Sequence, residues 1–280
     1  MSQETNPSSV NLELAKDTKI GSWLTTTPLT GTFLKFTINH VNEKSHELEP
    51  ICAKMGYLIV TSRITPDLFE KSVKKLGWKK TLDELIKYKQ PKYKNLRRGE
   101  FGESLSAAIL DELYSYEIPV YKLRYTLDGD ISLKGTDLVA LKLKDDEIVE
   151  VCFVESKLRT TTRTGIAVEA YDQLMNDATQ EMPPMITFMS DRLREMKHHA
   201  SDSFDNYMFD RSDMRNTEKY CIVLVCDKDN WSDTTLKNLE QHIQTTTRRI
   251  HVECLKIQDL KSLSDQVFSS IGVEKALDDE

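Results

Sequence analysis

No apolar run approaches the roughly 18 residues of a membrane-spanning helix, so no span is expected. The first residues, Met1-Ser2-Gln3-Glu4-Thr5-Asn6-Pro7, lack the basic and apolar regions of a secretory leader, so a cytoplasmic protein is expected. Cysteine is sparse and odd in number: Cys52, Cys152, Cys221, Cys226 and Cys254. Their spacing fits no zinc template, and most sit in apolar, strand-like stretches, which reads as free buried thiols in a reducing compartment. Neither a P-loop nor a GxGxxG spacing occurs, which excludes those phosphate cradles. No Ser-His-Asp arrangement stands out. There is no internal repeat and no low-complexity linker. A positive net charge is missing as well. The formal charge is −7, so the whole molecule does not read as a strong independent DNA binder. With 39% hydrophobic and 30% charged residues, the chain reads as globular.

The charge is unevenly spread. Residues 71 to 98 hold eleven Lys and Arg against Asp83 and Glu84, a local balance of +9 that leaves −16 on the rest. Trp78, Tyr88 and Tyr93 are interleaved, a mixture suited to phosphate contact and base stacking. Lys92, Lys94, Arg97 and Arg98 end this stretch and are nucleic-acid-binding candidates. Arg159 and Arg163, in a Thr-rich segment, are further ones.

The chemistry concentrates in one expected β-hairpin. Its first strand runs Gly135-Thr136-Asp137-Leu138-Val139-Ala140-Leu141, and its second ends Val154-Glu155-Ser156-Lys157. Side chains alternate along a strand, so Glu155 and Lys157 share a face, about 6.6 Å apart along the strand. Val151 and Phe153 share that face, while Cys152 and Val154 make the other face apolar, as in an interior strand. An odd loop such as Asp145-Asp146-Glu147 places Asp137 opposite Glu155, with Cβ atoms about 5 Å apart. An even loop puts it on the wrong face. Charges at a buried sheet edge need compensation, and a divalent cation supplies it. Carboxylate oxygens suit Mg²⁺ or Mn²⁺, which take phosphate oxygens as further ligands. The expected chemistry is phosphodiester hydrolysis, with Asp137 and Glu155 as metal ligands and Lys157 as the positioning cation.

Asp137 followed by Glu155-Ser156-Lys157 on the next strand resembles the PD-(D/E)xK nucleases. Gly135-Thr136 stands where that superfamily often has a proline. The resemblance implies a restriction-endonuclease-like core, and a further acid on the preceding helix. Glu103 is the better candidate, because Ala107 and Leu110 share its helix face; Glu100, whose face runs on to Asp111, is second. It also implies a role for a glutamine on the following helix, which Gln173 matches. The Gly99-Glu100-Phe101-Gly102-Glu103 helix start, Lys134-Gly135-Thr136-Asp137-Leu138 and Val154-Glu155-Ser156-Lys157 together resemble the HamA family, nuclease subunits of bacterial Hachiman anti-phage systems. That similarity implies DNA degradation and a HamB-like helicase partner. Two alternatives stand beside it: a stand-alone restriction-type nuclease, and a non-catalytic adaptor that only binds DNA or a partner.

The expected class is α/β, a mixed α+β sheet with helices on both faces and a β-rich N-terminal extension. Residues 1–16 read as a disordered tail, 17–97 as an N-terminal α+β region, 98–273 as the nuclease core and 274–280 as an acidic tail. Within 17–65, Gly31 to Ile38 and the apolar run Gly56 to Val60 read as strands. Thr81 with Glu84 reads as a helix-capping box. Val120 to Leu127 reads as a strand. His198 and His199 read as a surface pair on a polar helix, because adjacent residues do not share a helix face.

Overall fold

The computed structural model describes residues 12–44, 47–131, 134–244 and 248–272. Its strands are β1 (Leu24–Leu29), β2 (Thr37–Glu43), β3 (Leu138–Lys144), β4 (Glu147–Arg159), β5 (Glu218–Asp227) and β6 (Arg249–Ile257). Its α-helices are α1 (Leu12–Asp17), α2 (Ile20–Trp23), α3 (Leu48–Arg63), α4 (Pro66–Leu76), α5 (Trp78–Thr81), α6 (Lys94–Tyr114), α7 (Ile166–Ala178), α8 (Pro184–Glu195), α9 (Ser201–Phe209), α10 (Thr234–His242) and α11 (Leu260–Ser270). The six strands form one mixed sheet in the order β1-β2-β6-β5-β4-β3. The α/β class follows directly. The central four strands, β2, β6, β5 and β4, are mutually parallel, and β1 and β3 close the edges antiparallel. Strands β1 and β2 of the N-terminal region therefore extend the same sheet as β3 to β6.

Two cores cover the two sheet faces. Cys152 and Val154 of β4 join Phe101 and Leu105 of α6, and Ile59 of α3, on one side. Val151 and Phe153 join Ala170 and Leu174 of α7, and Phe204 of α9, on the other. Strand β4 is thus apolar on both faces, as its sequence requires. Cys152, Cys221, Cys226 and Cys254 are buried on β4, β5 and β6; Cys52 is half-buried on α3, and all five are free thiols. No helix among the described residues is long and apolar enough to cross a membrane.

Several local expectations are corrected. Gly56 to Val60 lies inside α3, not in a strand. Helix α3 buries Met55, Ile59 and Val60 together with Lys54, Ser62 and Arg63, so it has no clean polar stripe. Its short apolar run therefore lacks helical periodicity. Residues 31–36 precede β2 rather than forming it. The backbone N–H groups of Leu34 and Lys35 donate to the Glu240 carboxylate of α10 instead of to a ladder. Lys122–Tyr125 is a 3₁₀ turn, held to the end of α3 by Arg124 donating to Thr61 O. Thr81 caps nothing; its hydroxyl donates to Gly77 O at 2.8 Å, and a π turn runs from Leu82 to Ile86. Trp78 is buried against Phe69, with ring centroids 5.2 Å apart, so it serves the core and not base stacking. Tyr88 is 76% exposed. Helix α1 occupies part of the expected N-terminal tail; residues 1–11 and the acidic tail 274–280 lie outside the described residues.

Candidate active site

The β3–β4 hairpin turns through Asp145 and Asp146, both with positive φ, in a two-residue loop between Lys144 and Glu147. That is an even loop, not the odd one expected. A β-bulge between Lys142 and Leu143, with Val149 as the extra residue of β4, shifts the register back by one. Leu138 pairs with Val154, and continuing this register by one residue sets Asp137 across from Glu155. Gly135, at φ +100°, makes the turn that leads Asp137 into the sheet.

Helix α6 brings the third acid. A Cβ on Gly102 would meet Ser156 Oγ at 3.0 Å and Leu158 Cβ at 3.4 Å, so glycine permits the close approach of α6 to β4. Ser106 Oγ donates to Ser156 Oγ across the same contact, at 3.0 Å. Glu103 then faces the same cleft as Asp137, Glu155, Lys157 and Gln173, a cavity of about 430 Å³. Arg98, Asn95 and Arg159 line it too.

The other sequence candidates are placed as follows. Glu100 turns inward and pairs with Arg63, Oε1 to Nε at 2.6 Å. Arg97 is also buried, donating to Pro91 O at 2.8 Å with its guanidinium over Phe268. Lys92 is exposed and paired with Asp130 at 3.3 Å, and Lys94 is half-buried at the start of α6. Arg163 pairs with Glu169 at 2.9 Å outside the cleft lining, and Arg159 lies 3.5 Å from the same carboxylate.

The cleft's electrostatics are unbalanced. Glu155 is fully buried. Its Oε1 accepts from Lys157 Nζ at 2.7 Å, while its Oε2 has no hydrogen-bond partner. Burial, reinforced by the Asp137 charge, raises the Glu155 carboxyl to about 8. Burial, again with Asp137, raises Glu103 to about 8. Asp137 is held at both oxygens: Lys122 Nζ donates to Oδ1 at 3.2 Å, and Ser156 N–H donates to Oδ2 at 2.9 Å. Lys157 Nζ also donates to Gln173 Oε1 at 2.8 Å, which brings Gln173 into the constellation.

Lys122 is the residue that sequence reasoning missed. Its segment was expected to be a strand, yet a lysine amid Val120, Tyr121 and Leu123 is itself a signal, since a buried ammonium needs an acid.

A hard divalent cation fits this donor set. Three acids face two lysines, one buried carboxylate oxygen lacks a partner, and burial beside the Asp137 charge makes two carboxyls resist ionisation. Among the described residues, only Glu117, His198 and His199 form a set of three with ligand atoms mutually within 4.8 Å, so the cleft acids stand further apart. The two histidines lie in the turn after α8, not on a helix, with rings 4.4 Å apart. Ala200 N–H donates to His198 Nδ1, which assigns the ring proton to Nε2, hydrogen-bonded to Glu117 Oε1 at 2.7 Å.

A Hachiman protein HamA from Bacillus cereus is 32% identical over 120 residues, which cover 43% of this chain and 41% of that relative. The family model described as HamA matches residues 19–271, all but the two ends, and the chain belongs to the HamA family.

Proposed function

We propose that this chain is a metal-dependent DNA endonuclease, the effector of a Hachiman-type anti-phage defence that acts with a helicase partner. The carrying observation is the convergence of Glu103, Asp137, Glu155 and Lys157 on one open cleft, with Glu155 Oε2 left unpartnered. This constellation supports the restriction-endonuclease-like reading of the core.

Glu103, Asp137 and Glu155 would hold Mg²⁺ or Mn²⁺. When bound, such an ion lowers the pKa of water and polarises the phosphate. Lys157 has three N–H donors; Glu155 and Gln173 take two, which leaves one for the attacking water or a phosphate oxygen. Ser156 N–H and Lys122 fix the Asp137 carboxylate. Arg98 and Arg159 supply positive charge along the cleft for the DNA backbone.

The defence role is supported by family membership and by the name of the Bacillus cereus relative. The helicase partner and the preference for DNA rest on the family resemblance. The net charge of −7 agrees with a subunit that relies on help to hold DNA.

The test is nicking of supercoiled plasmid with Mg²⁺ or Mn²⁺, comparing the wild type with Glu155→Ala, alone and then with the co-encoded helicase and ATP. Metal-dependent nicking that the substitution abolishes is the expected outcome. No nicking by the wild type in either setting would sink the nuclease reading in favour of an adaptor.

A further inference from the structure

Lys122 bears on how many cations the cleft can hold. It is 3% exposed, and its Nζ donates to Asp137 Oδ1 at 3.2 Å and to Thr136 O at 3.4 Å. It does not line the open cleft. It lies behind the acids, on a cavity of about 10 Å³ that Glu103, Asp137, Ser104 and Tyr121 also bound. Such a space holds one water at most. An ion of the Mg²⁺ kind keeps several waters. No hydrated ion can therefore share that side with the ammonium. The cleft of about 430 Å³, on the other side of Glu103 and Asp137, has the room.

Charge gives the same count. Ionised Glu103, Asp137 and Glu155 carry three negative charges, and Lys122 and Lys157 carry two positive ones, a balance of −1. One divalent ion and one phosphodiester bring the sum to zero. A second divalent ion would leave +2 beside the buried Glu155 and Lys122. The cleft lining offers no fourth acid to offset it.

We propose that the cleft binds a single divalent cation per chain, on its open side, and that the Lys122 ammonium stands where a second ion would have to sit. Lys122 is a positioning residue in this account, because it holds Asp137 by Oδ1. The inference rests on the metal-dependent nuclease reading and goes beyond it in fixing the stoichiometry and its cause.

The test is a Mn²⁺ titration of the full chain without DNA, read by electron paramagnetic resonance and paired with a Ca²⁺ binding isotherm by calorimetry. The wild type should bind one Mn²⁺, magnetically isolated, and Asp137→Ala should lose it. Lys122→Ala, which removes the charge and opens the space, should bind two; Lys122→Arg should keep one. A spin-coupled Mn²⁺ pair in the wild type overturns the single-ion proposal while leaving the nuclease reading intact. A folded Lys122→Ala that still binds one ion overturns the placeholder role. A wild type that binds no Mn²⁺ overturns the metal-dependent reading itself. Circular dichroism identifies a variant that fails to fold, and the wild-type ion count then decides.

Discussion

Two buried charge clusters meet the neighbouring strands β4 and β5, built to opposite standards. At the start of β5, Glu218 and Arg211 are 2% and 4% exposed. Arg211 Nε donates to Glu218 Oε1 at 2.6 Å, and the rest of its guanidinium reaches the backbone oxygens of Ala178, Gln180 and Glu181. Tyr207 and Tyr220 donate to the two oxygens of Glu218. One acid meets one base, and both carboxylate oxygens are satisfied. Glu218 pairs with Val151 in the sheet, only four residues along β4 from Glu155. There, three acids share two lysines, and an oxygen is left bare. A closed network stabilises a fold, whereas an open one is costly to keep and marks a place where something must bind.

The largest effect should come from breaking the open cluster. Glu155→Ala, Asp137→Ala or Lys157→Ala should each lower cleavage by about 10⁴-fold, about 5.4 kcal/mol of barrier. The folded state should not suffer. Metal-free melting of Glu155→Ala should match or exceed that of the wild type, because a fully buried carboxyl with one oxygen unpartnered has been removed. A Glu155→Ala protein that cleaves normally would discard the site assignment.

The closed cluster should respond the other way. Glu218→Ala leaves the Arg211 guanidinium buried without its counter-charge and should cost about 3–5 kcal/mol of stability in urea unfolding. Cleavage per folded molecule should stay unchanged. Equal stability losses at Glu155 and Glu218 would erase the distinction between the clusters.

A smaller effect separates them by pH. Burial raises both Glu103 and Glu155 from their ordinary 4.5 to about 8. Between those values the folded protein holds protons that the unfolded chain has released. Their contribution to stability is complete below about 4.5 and is lost as pH rises through about 8. Metal-free melting temperature should fall across that window. Ca²⁺, which favours the ionised carboxylates, should raise it most at the alkaline end. Glu103→Gln together with Glu155→Gln should flatten the metal-free slope; a slope unchanged in that variant would assign the pH dependence elsewhere.

Side-chain alternation allows only two outcomes for Asp137 and Glu155, and because β4 is apolar on both faces the choice stays open in the sequence; only the need of two acids to share a cation selects their opposition. The device that achieves it was not legible. An even turn and a bulge at Val149 cancel, and a bulge leaves little trace in composition. Glu103 was separable from Glu100 by helix face alone, and the buried Arg63 pairing of Glu100 agrees with that choice. Lys122 carries a signal of burial in its apolar neighbours but none of its position, because its segment forms a 3₁₀ turn placed by α3, and α3 itself was hidden. Its buried Lys54 and Arg63 break the apolar stripe that periodicity needs. Trp78 was misassigned to stacking for a related reason. Its basic neighbours are visible in sequence, but Phe69 beside it is a tertiary contact.

The smallest predicted effect concerns Gln173, which lies in neither cluster's core. It is exposed on α7, and its Oε1 accepts from Lys157 Nζ at 2.8 Å. Gln173→Ala removes one of two anchors on that ammonium without touching an acid. Lys157 keeps its bond to Glu155, so the charge balance is unaltered and the side chain only gains freedom. Loss of one supporting contact of this kind typically costs about 10-fold in activity. Melting temperature and Mn²⁺ stoichiometry should both stay at wild-type values, because an exposed helix position contributes little to either. Gln173→Glu sharpens the point. It keeps the acceptor but adds a fourth negative charge, which should strengthen cation binding and weaken DNA binding in low salt. A Gln173→Ala protein with wild-type cleavage would show that Glu155 alone suffices to aim Lys157, and would confine the working cluster to β3, β4 and α6.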